Sequence, residues 1–181
     1  LIYPYIALGR AYKRQKQFEK ALRQQEKALA LARELPESAF RKRRLFNTYT
    51  NLGTLHRKTG QYSRSAEYLK KAYDLGREAY PSGHEKLAIA KISLMTTNMN
   101  RQRFEAAREH LNDAIAIYRQ RLPENHPELG KNGYLSRAKF ARRIDNFDTA
   151  QQAIKKAYQT FSDEHDCSNA ICIPDLPEIA Y

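Results

Sequence analysis

Basic and amide side chains recur at helical spacing in the first third of the chain. Arg10, Lys13 and Arg14 lie three and four residues apart, and the segment from Asn47 to Lys58 places two amides before two cations. Residues at such spacing share one face of a helix. Guanidinium and ammonium groups bind carboxylates and phosphates, and a carboxamide can bond an extended backbone through both its donor and its acceptor. These residue types therefore predict recognition of another chain.

Motifs of known enzyme active sites are missing from the sequence. It holds no glycine-rich phosphate loop, no GxSxG, no HExxH and no pair of carboxylates that would be expected to cluster in a cleft. The five histidines are spread along the chain. We therefore expect neither catalysis nor a cofactor.

The two cysteines lie close to a histidine near the C-terminus. His165, Cys167 and Cys172 resemble loosely spaced zinc ligands, but structural zinc normally takes four ligands at tighter spacing. Two cysteines cannot build a disulfide framework. We expect reduced thiols and no bound metal, with a local disulfide as the alternative.

Three columns of residues return along the chain with one common phase. The first is aromatic, and its members are separated by 44, 42 and 43 residues. The other two columns hold small residues and keep the same steps. Repetition at a period of 20–50 residues is the mark of a solenoid. The columns are Phe18, Tyr62, Phe104 and Phe147; Ala21, Ser65, Ala107 and Ala150; and Ala28, Ala72, Ala114 and Ala157.

Each copy has the pattern of two helices joined by a tight turn. In the second copy, period-3.6 patterns flank the turn at Thr59-Gly60-Gln61, with Leu52, Gly53 and His56 on one face of the first helix. The first copy predicts helices over 3–15 and 18–34, and Pro36 ends the second of them.

These columns resemble the tetratricopeptide repeat. Its pattern asks for an aromatic residue, Leu-Gly, Tyr, Gly, an aromatic residue, Ala, a large apolar residue and Ala. The third copy departs from this pattern with Met95 in place of the glycine. The fourth copy departs from it with Arg137-Ala138 in place of Leu-Gly. The copies, of about 42–44 residues, are longer than the usual ~34. In this greater length they are similar to the repeats of kinesin light chains and of many bacterial signalling proteins. The matching residues are Tyr5, Leu8, Gly9, Tyr12, Phe18, Ala21 and Ala28; Tyr49, Leu52, Gly53, Gly60, Tyr62, Leu69 and Ala72; Leu94, Phe104, Ala107, Leu111 and Ala114; and Tyr134, Phe147, Ala150, Ile154 and Ala157.

The resemblance implies an all-α fold, a right-handed α-solenoid of four helix-turn-helix hairpins. We predict repeats at about 2–38, 46–80, 87–122 and 130–161, followed by an acidic tail or incomplete capping unit over 162–181. The histidines of the connecting loops, such as His84 and His126, then recur because the loop recurs. His56 takes the place of a usual tyrosine, and we expect it to be a buried packing residue.

In this family the first helix of each hairpin lines a concave groove. Asn51 stands where related grooves hold an extended peptide through an asparagine. One subfamily clamps a terminal carboxylate, but Ile6, Ile89 and Ser93 replace the polar residues that such a clamp needs. The candidate peptide-binding residues are Arg10, Lys13, Asn47, Asn51, Thr54, Arg57, Thr96, Asn100, Asn132, Lys139 and Arg142.

Charge is divided unevenly along the chain. The net charge is +12, but residues 1–160 hold all 32 Lys and Arg with 15 of the 20 acids, and residues 161–181 hold the other five acids. A basic groove predicts an acidic protein or peptide partner. The acidic tail is a candidate competitor for the same groove.

Two other functions stay open. The basic run Ala39–Arg44 and the overall charge could contact nucleic acid, although we expect most aromatic rings to lie in the core and exposed positions to lack a stacking platform. Alternatively the chain is the sensor or scaffold segment of a bacterial kinase or transcription regulator. The sequence does not begin with Met, which suggests a fragment. No apolar run could span a bilayer, and we expect a cytoplasmic protein.

Overall fold

The computed structural model describes residues 2–162, which form eight α-helices paired into four hairpins. Each helix packs mainly against the helices before and after it, as in a solenoid. The predicted all-α fold is confirmed. The helices are α1 Ile2–Arg14, α2 Phe18–Glu34, α3 Ala39–Lys58, α4 Tyr62–Ala79, α5 Glu85–Asn100, α6 Phe104–Arg119, α7 Leu135–Arg143 and α8 Phe147–Ser162.

The four hairpin turns share one backbone feature. Gly60 has a φ of +78°, and the residues at the same place in the other turns, Lys16, Gln102 and Asp145, have φ of 59°, 58° and 55°. Only glycine enters this left-handed region without a steric penalty. The repeat therefore preserves the shape of the turn even where it does not preserve the glycine.

Small residues let the two helices of a hairpin approach closely. In the first three repeats the small column residues have no exposed surface; they are Ala21, Ala28, Ser65, Ala72, Ala107 and Ala114. A β-carbon added to Gly53 would lie 2.6 Å from Cγ of Leu69 on the facing helix. The predicted phase of both helices in the second repeat is therefore confirmed.

The outer faces of the first and last hairpins are open. Leu8 is 43% exposed, whereas its counterpart Leu52 is fully buried. Phe147 is 66% exposed, whereas the other three aromatic residues of its column are partly buried. The cause is the same at both ends: within residues 2–162 no further hairpin packs against these two faces.

The fourth repeat begins differently from the others. A π-helical segment, Leu129–Tyr134, leads directly into α7. A β-carbon on Gly130 would overlap the Thr160 hydroxyl of α8, so the glycine permits a close approach there. The repeat columns did not predict this segment.

The basic run at the start of α3 is largely engaged with other groups. Arg41 pairs with Glu37, the Lys42 ammonium lies 2.7 Å from a Glu78 carboxylate oxygen, and Arg44 lies over the Phe40 ring. These contacts favour a solvated helix start over a nucleic-acid patch.

Several predictions fall outside the part of the chain described here. These are the acidic tail, the thiols and the zinc-like group of His165, Cys167 and Cys172. In residues 2–162, no helix has both the length and the apolar character that crossing a bilayer requires. The same range contains no group of three or more His, Cys, Asp or Glu side chains arranged to hold a metal ion.

We predict that Ala72→Leu destabilises the protein by about 1–3 kcal/mol, because the added methylenes would overpack a site with no free surface. Urea unfolding followed by circular dichroism measures the change. Ala30→Leu, the same substitution at an exposed position of α2, is the control and should change little. A neutral Ala72→Leu would contradict the packing described above.

Candidate peptide-binding groove

Ten of the eleven predicted groove residues lie on the first helices of the four hairpins, and Asn132 lies in the π-helical segment that leads into α7. α3 contacts α5, and α5 contacts α7, so that these helices form a continuous surface. None of the eleven candidates is buried. Arg10, Asn100, Lys139 and Arg142 are exposed, and the partly exposed candidates are Lys13, Asn47, Asn51, Thr54, Arg57, Thr96 and Asn132.

Five cations converge where the first helices of repeats one and two end. We call Arg10, Lys13, Arg14, Arg57 and Lys58 the basic cluster. Burial lowers the pKa of Lys13, and the positive charges of the other four members lower it further. No acidic group contributes to this shift. Two neighbouring hairpins therefore bring their charges together at one place.

The basic cluster has no counter-charge in the described part of the chain. None of its members makes an ion pair between residues 2 and 162. Nε of Arg57 is buried and has no hydrogen-bond partner in that range. Burial also lowers the pKa of Arg57. Two half-buried cations thus lack the groups that normally accompany buried charge.

Some cations elsewhere in the described range are paired with acids. The Lys91 ammonium lies 2.7 Å from an Asp113 carboxylate oxygen, and Arg119 Nε lies 2.7 Å from a Glu124 oxygen. Lys156 also reaches Glu124, at 3.3 Å. Other cations, such as Lys139 and Arg142, are unpaired in the described range but exposed to solvent, whereas Lys13 and Arg57 of the basic cluster are half-buried as well as unpaired.

Asn51 is held by a residue that the sequence did not single out. Its Nδ2 donates to Oε1 of Gln25 at 3.2 Å, and Nε2 of Gln25 donates to the Ile6 carbonyl at 3.2 Å. Gln25 is only 1% exposed. The repeat contained a signal for it, because Leu69, Leu111 and Ile154 occupy the same column and Gln25 alone is polar.

The middle of the groove is less charged than its ends. Thr54 and Thr96 donate their hydroxyl protons to carbonyls one turn earlier in their own helices, those of Thr50 and Ile92. They therefore offer a ligand only acceptor lone pairs. Ile89 is exposed in the same region. At the far end, the exposed cations are Lys139, Arg142 and Arg143, and no ion pair engages them in the described range.

The structure departs from the expectations of the sequence in two respects. Exposed aromatic rings do occur, at Tyr3, Phe40, Phe147 and Tyr158, on the two end hairpins and at the start of α3. A pair of carboxylates also occurs: Glu85 and Glu128 both line a cavity of about 290 Å³ between repeats three and four. Burial raises the pKa of Glu128, and the charge of Glu85 raises it further.

Comparison with protein families decides what this repeat is. Two models described as the tetratricopeptide repeat match residues 5–35 and 44–120, which together exceed half of the chain. The chain belongs to the tetratricopeptide-repeat family. No curated protein sequence matches it significantly.

Several solved structures share the fold at low sequence identity. A Podosopora anserina protein described as a kinesin light chain with nearly identical TPR-like repeats superposes with a TM-score of 0.74, at 18% identity over 90% of this chain and 76% of its own. The apo form of RapI gives 0.73 at 15% identity, over 90% of this chain and 56% of RapI. BtubC (BKLC) from P. vanneervenii gives 0.61 at 15% identity, over all of this chain and 87% of BtubC.

The histidines of this tetratricopeptide-repeat chain are structural where the sequence predicted so. His56 is buried, and its ring stacks on Tyr68 with centroids 5.2 Å apart. His84 and His126 each accept, through Nδ1, the backbone N–H two residues later. The loop histidines therefore cap the next segment, and the recurrence of the loop explains their recurrence.

The stability of the protein should depend on pH through His56. Burial lowers the pKa of His56, against a smaller opposing effect of its hydrogen bond to Gln61. The unfolded chain then takes up a proton more readily, so the free energy of unfolding should fall as pH drops below about 6.5. His56→Tyr should lose less stability over this range.

Urea unfolding at about pH 8 and about pH 5.5 checks the prediction. At the higher pH the histidine is neutral in both states, so a difference in the free energy of unfolding between wild type and His56→Tyr there reports packing and not titration. His84 and His110 also have lowered pKa values, so the variant should retain part of the dependence. A wild-type stability that is equal at both pH values would contradict the assignment.

Proposed function

We propose that this chain is a non-catalytic interaction module that binds an extended acidic segment of a partner protein along its concave groove. The observation that carries the proposal is the basic cluster, in which five cations meet without an acidic partner. Carboxylates of a bound segment would supply the missing charges and hydrogen bonds. The proposed setting is a larger signalling or scaffold protein.

The arrangement of the groove suggests how such a segment is held. Its acidic residues contact the basic cluster, while its backbone meets Asn51 and the polar residues Asn47, Thr54, Thr96 and Asn100. A second acidic stretch can reach Lys139 and Arg142, near Asn132 at the start of the fourth repeat. Binding of this kind is expected at micromolar strength, about −8 kcal/mol.

The nucleic-acid alternative has less support. The exposed rings Tyr3, Phe40, Phe147 and Tyr158 are spread over three repeats, and Arg44 already covers Phe40. Base stacking needs rings that follow one another along a strand. A single-stranded RNA oligomer is therefore a necessary arm of the experiment, and its binding should fall steeply with salt if it dominates.

The test is fluorescence anisotropy of the full chain with peptides of about 12 residues, an extended reach of roughly 40 Å, that differ only in their number of acidic residues. We expect affinity to rise with that number. Lys13→Gln and Arg57→Gln should each weaken binding by about threefold to tenfold, because each removes one uncompensated cation.

Lys71→Gln is the matched control, since it removes one positive charge from an exposed position that pairs with Glu67. It should leave peptide affinity nearly unchanged. If all three variants lost the same amount of peptide affinity, the loss would reflect long-range attraction by net charge and not contact with the basic cluster. Absence of binding to every acidic peptide, or tighter binding of RNA than of any peptide, would overturn the proposal.

The acidic tail provides a second prediction about the same groove. A tethered segment has an effective concentration near millimolar, so an intrinsic dissociation constant of about 100 μM would keep it bound roughly ten to one. Substituting Asp163, Glu164 and Asp166 with their amides should then raise peptide affinity. The control substitutes the exposed acids Glu34, Asp74 and Glu109 in the same way. If the tail variant and the control variant bound the acidic peptide with equal affinity, competition by the tail would be excluded.

A further inference from the structure

We infer that Gln25 determines which atom Asn51 presents to the groove, so that a bound segment must offer a backbone N–H at that place. Gln25 is thus a positioning residue, acting on the ligand through Asn51. The ligand half of this inference rests on the proposed function. The hydrogen-bond half concerns the free protein and can be tested by itself.

Gln25 occupies a packing position. In the second repeat, Leu69 lies across Gly53, where an added β-carbon would meet it at 2.6 Å. In the first repeat, the Gln25 side chain lies across Gly9 in the same way, and a β-carbon there would overlap its amide. The first repeat therefore places a carboxamide where other repeats place an aliphatic side chain.

The direction of the hydrogen-bond chain follows from its first member. The Ile6 carbonyl can only accept, so the Gln25 atom facing it must be the nitrogen. The Gln25 oxygen then faces Asn51, and the Asn51 atom facing that oxygen must be its nitrogen. A buried carbonyl thus sets the orientation of two amides in succession, and neither can flip without losing a bond.

This orientation leaves Asn51 with a defined set of free atoms. One N–H of its amide is used by Gln25, and Oδ1 has no hydrogen-bond partner among residues 2–162. Asn51 is partly exposed, on the helix that carries Thr54 and Arg57. Its oxygen can therefore accept the backbone N–H of an extended segment, which a proline or an N-methylated residue does not have.

Removing the Gln25 amide should not disrupt the fold. Leucine fills the same position in repeats two and three, so an apolar side chain of similar length fits the site. Gln25→Met keeps the unbranched shape and removes both hydrogen bonds. The Asn51 amide would then rotate freely and would have to be ordered by the ligand. Ordering one such side chain weakens binding by roughly threefold to tenfold.

The first measurement is proton exchange of the Asn51 side-chain amide by NMR in the full chain, with Asn51→Ala to assign the signals. One Asn51 amide proton should be protected in the wild-type protein and should lose that protection in Gln25→Met. Gln24→Met, one residue earlier on α2, is the matched control and should leave it protected. Equal exchange in Gln25→Met and wild type would overturn the fixed orientation.

The second measurement is an N-methyl scan along the acidic peptide that binds best. The wild-type protein should reject one N-methylated position most strongly. In Gln25→Met that rejection should shrink to the level of the neighbouring positions, with overall affinity threefold to tenfold lower. An unchanged scan would overturn the assigned N–H preference.

Comparison with Asn51→Ala separates positioning from packing. If Gln25 acts through Asn51, Gln25→Met has no further effect on affinity once Asn51 is alanine. An equal loss in both backgrounds would overturn the inference. If no acidic peptide binds at all, the proposed function and the N–H preference both fail, and the exchange measurement still decides the orientation of Asn51.

Discussion

The structure depends on close contact between the two helices of each hairpin. In the first two hairpins a glycine on the first helix faces a large side chain on the second, as Gly53 faces Leu69, and fully buried small residues such as Ala72 lie beside the contact. A helix has 3.6 residues per turn, so fixing one face fixes every other face. Packing at this contact therefore decides which side chains remain for the groove.

Positive charge is compensated at some contacts between elements and not at others. Glu78 of α4 meets Lys42 of α3, and Glu124, in the connection after α6, meets Arg119. The last turns of α1 and α3 end in cations, and the turn after α3 contains no acid. Stability alone would not favour such a cluster, and this is the physical reason for proposing a binding role for it.

Repetition in the sequence predicts the helices well because each repeat folds by contacts within itself. The turns at Lys16 and Gly60 lie where the columns placed them. Contacts between repeats are harder to predict from the sequence, since they depend on how one hairpin packs on the next. The meeting of Glu85 with Glu128, the π-helical segment before Leu135 and the exposure of Phe147 all arise at that level. Aligning the four repeats could still have revealed Gln25, because it is the single polar residue in a column whose other members are Leu69, Leu111 and Ile154.

The groove and the core meet at that residue. A buried carboxamide in an aliphatic position is unfavourable unless all of its polar atoms find partners. Ile6 and Asn51 supply them, so the first repeat replaces hydrophobic packing with two hydrogen bonds of fixed direction. Leucine there would pack the hairpin equally well and would leave Asn51 free to turn. What the polar residue adds is an ordered acceptor beside the basic cluster, which the repeat by itself does not require.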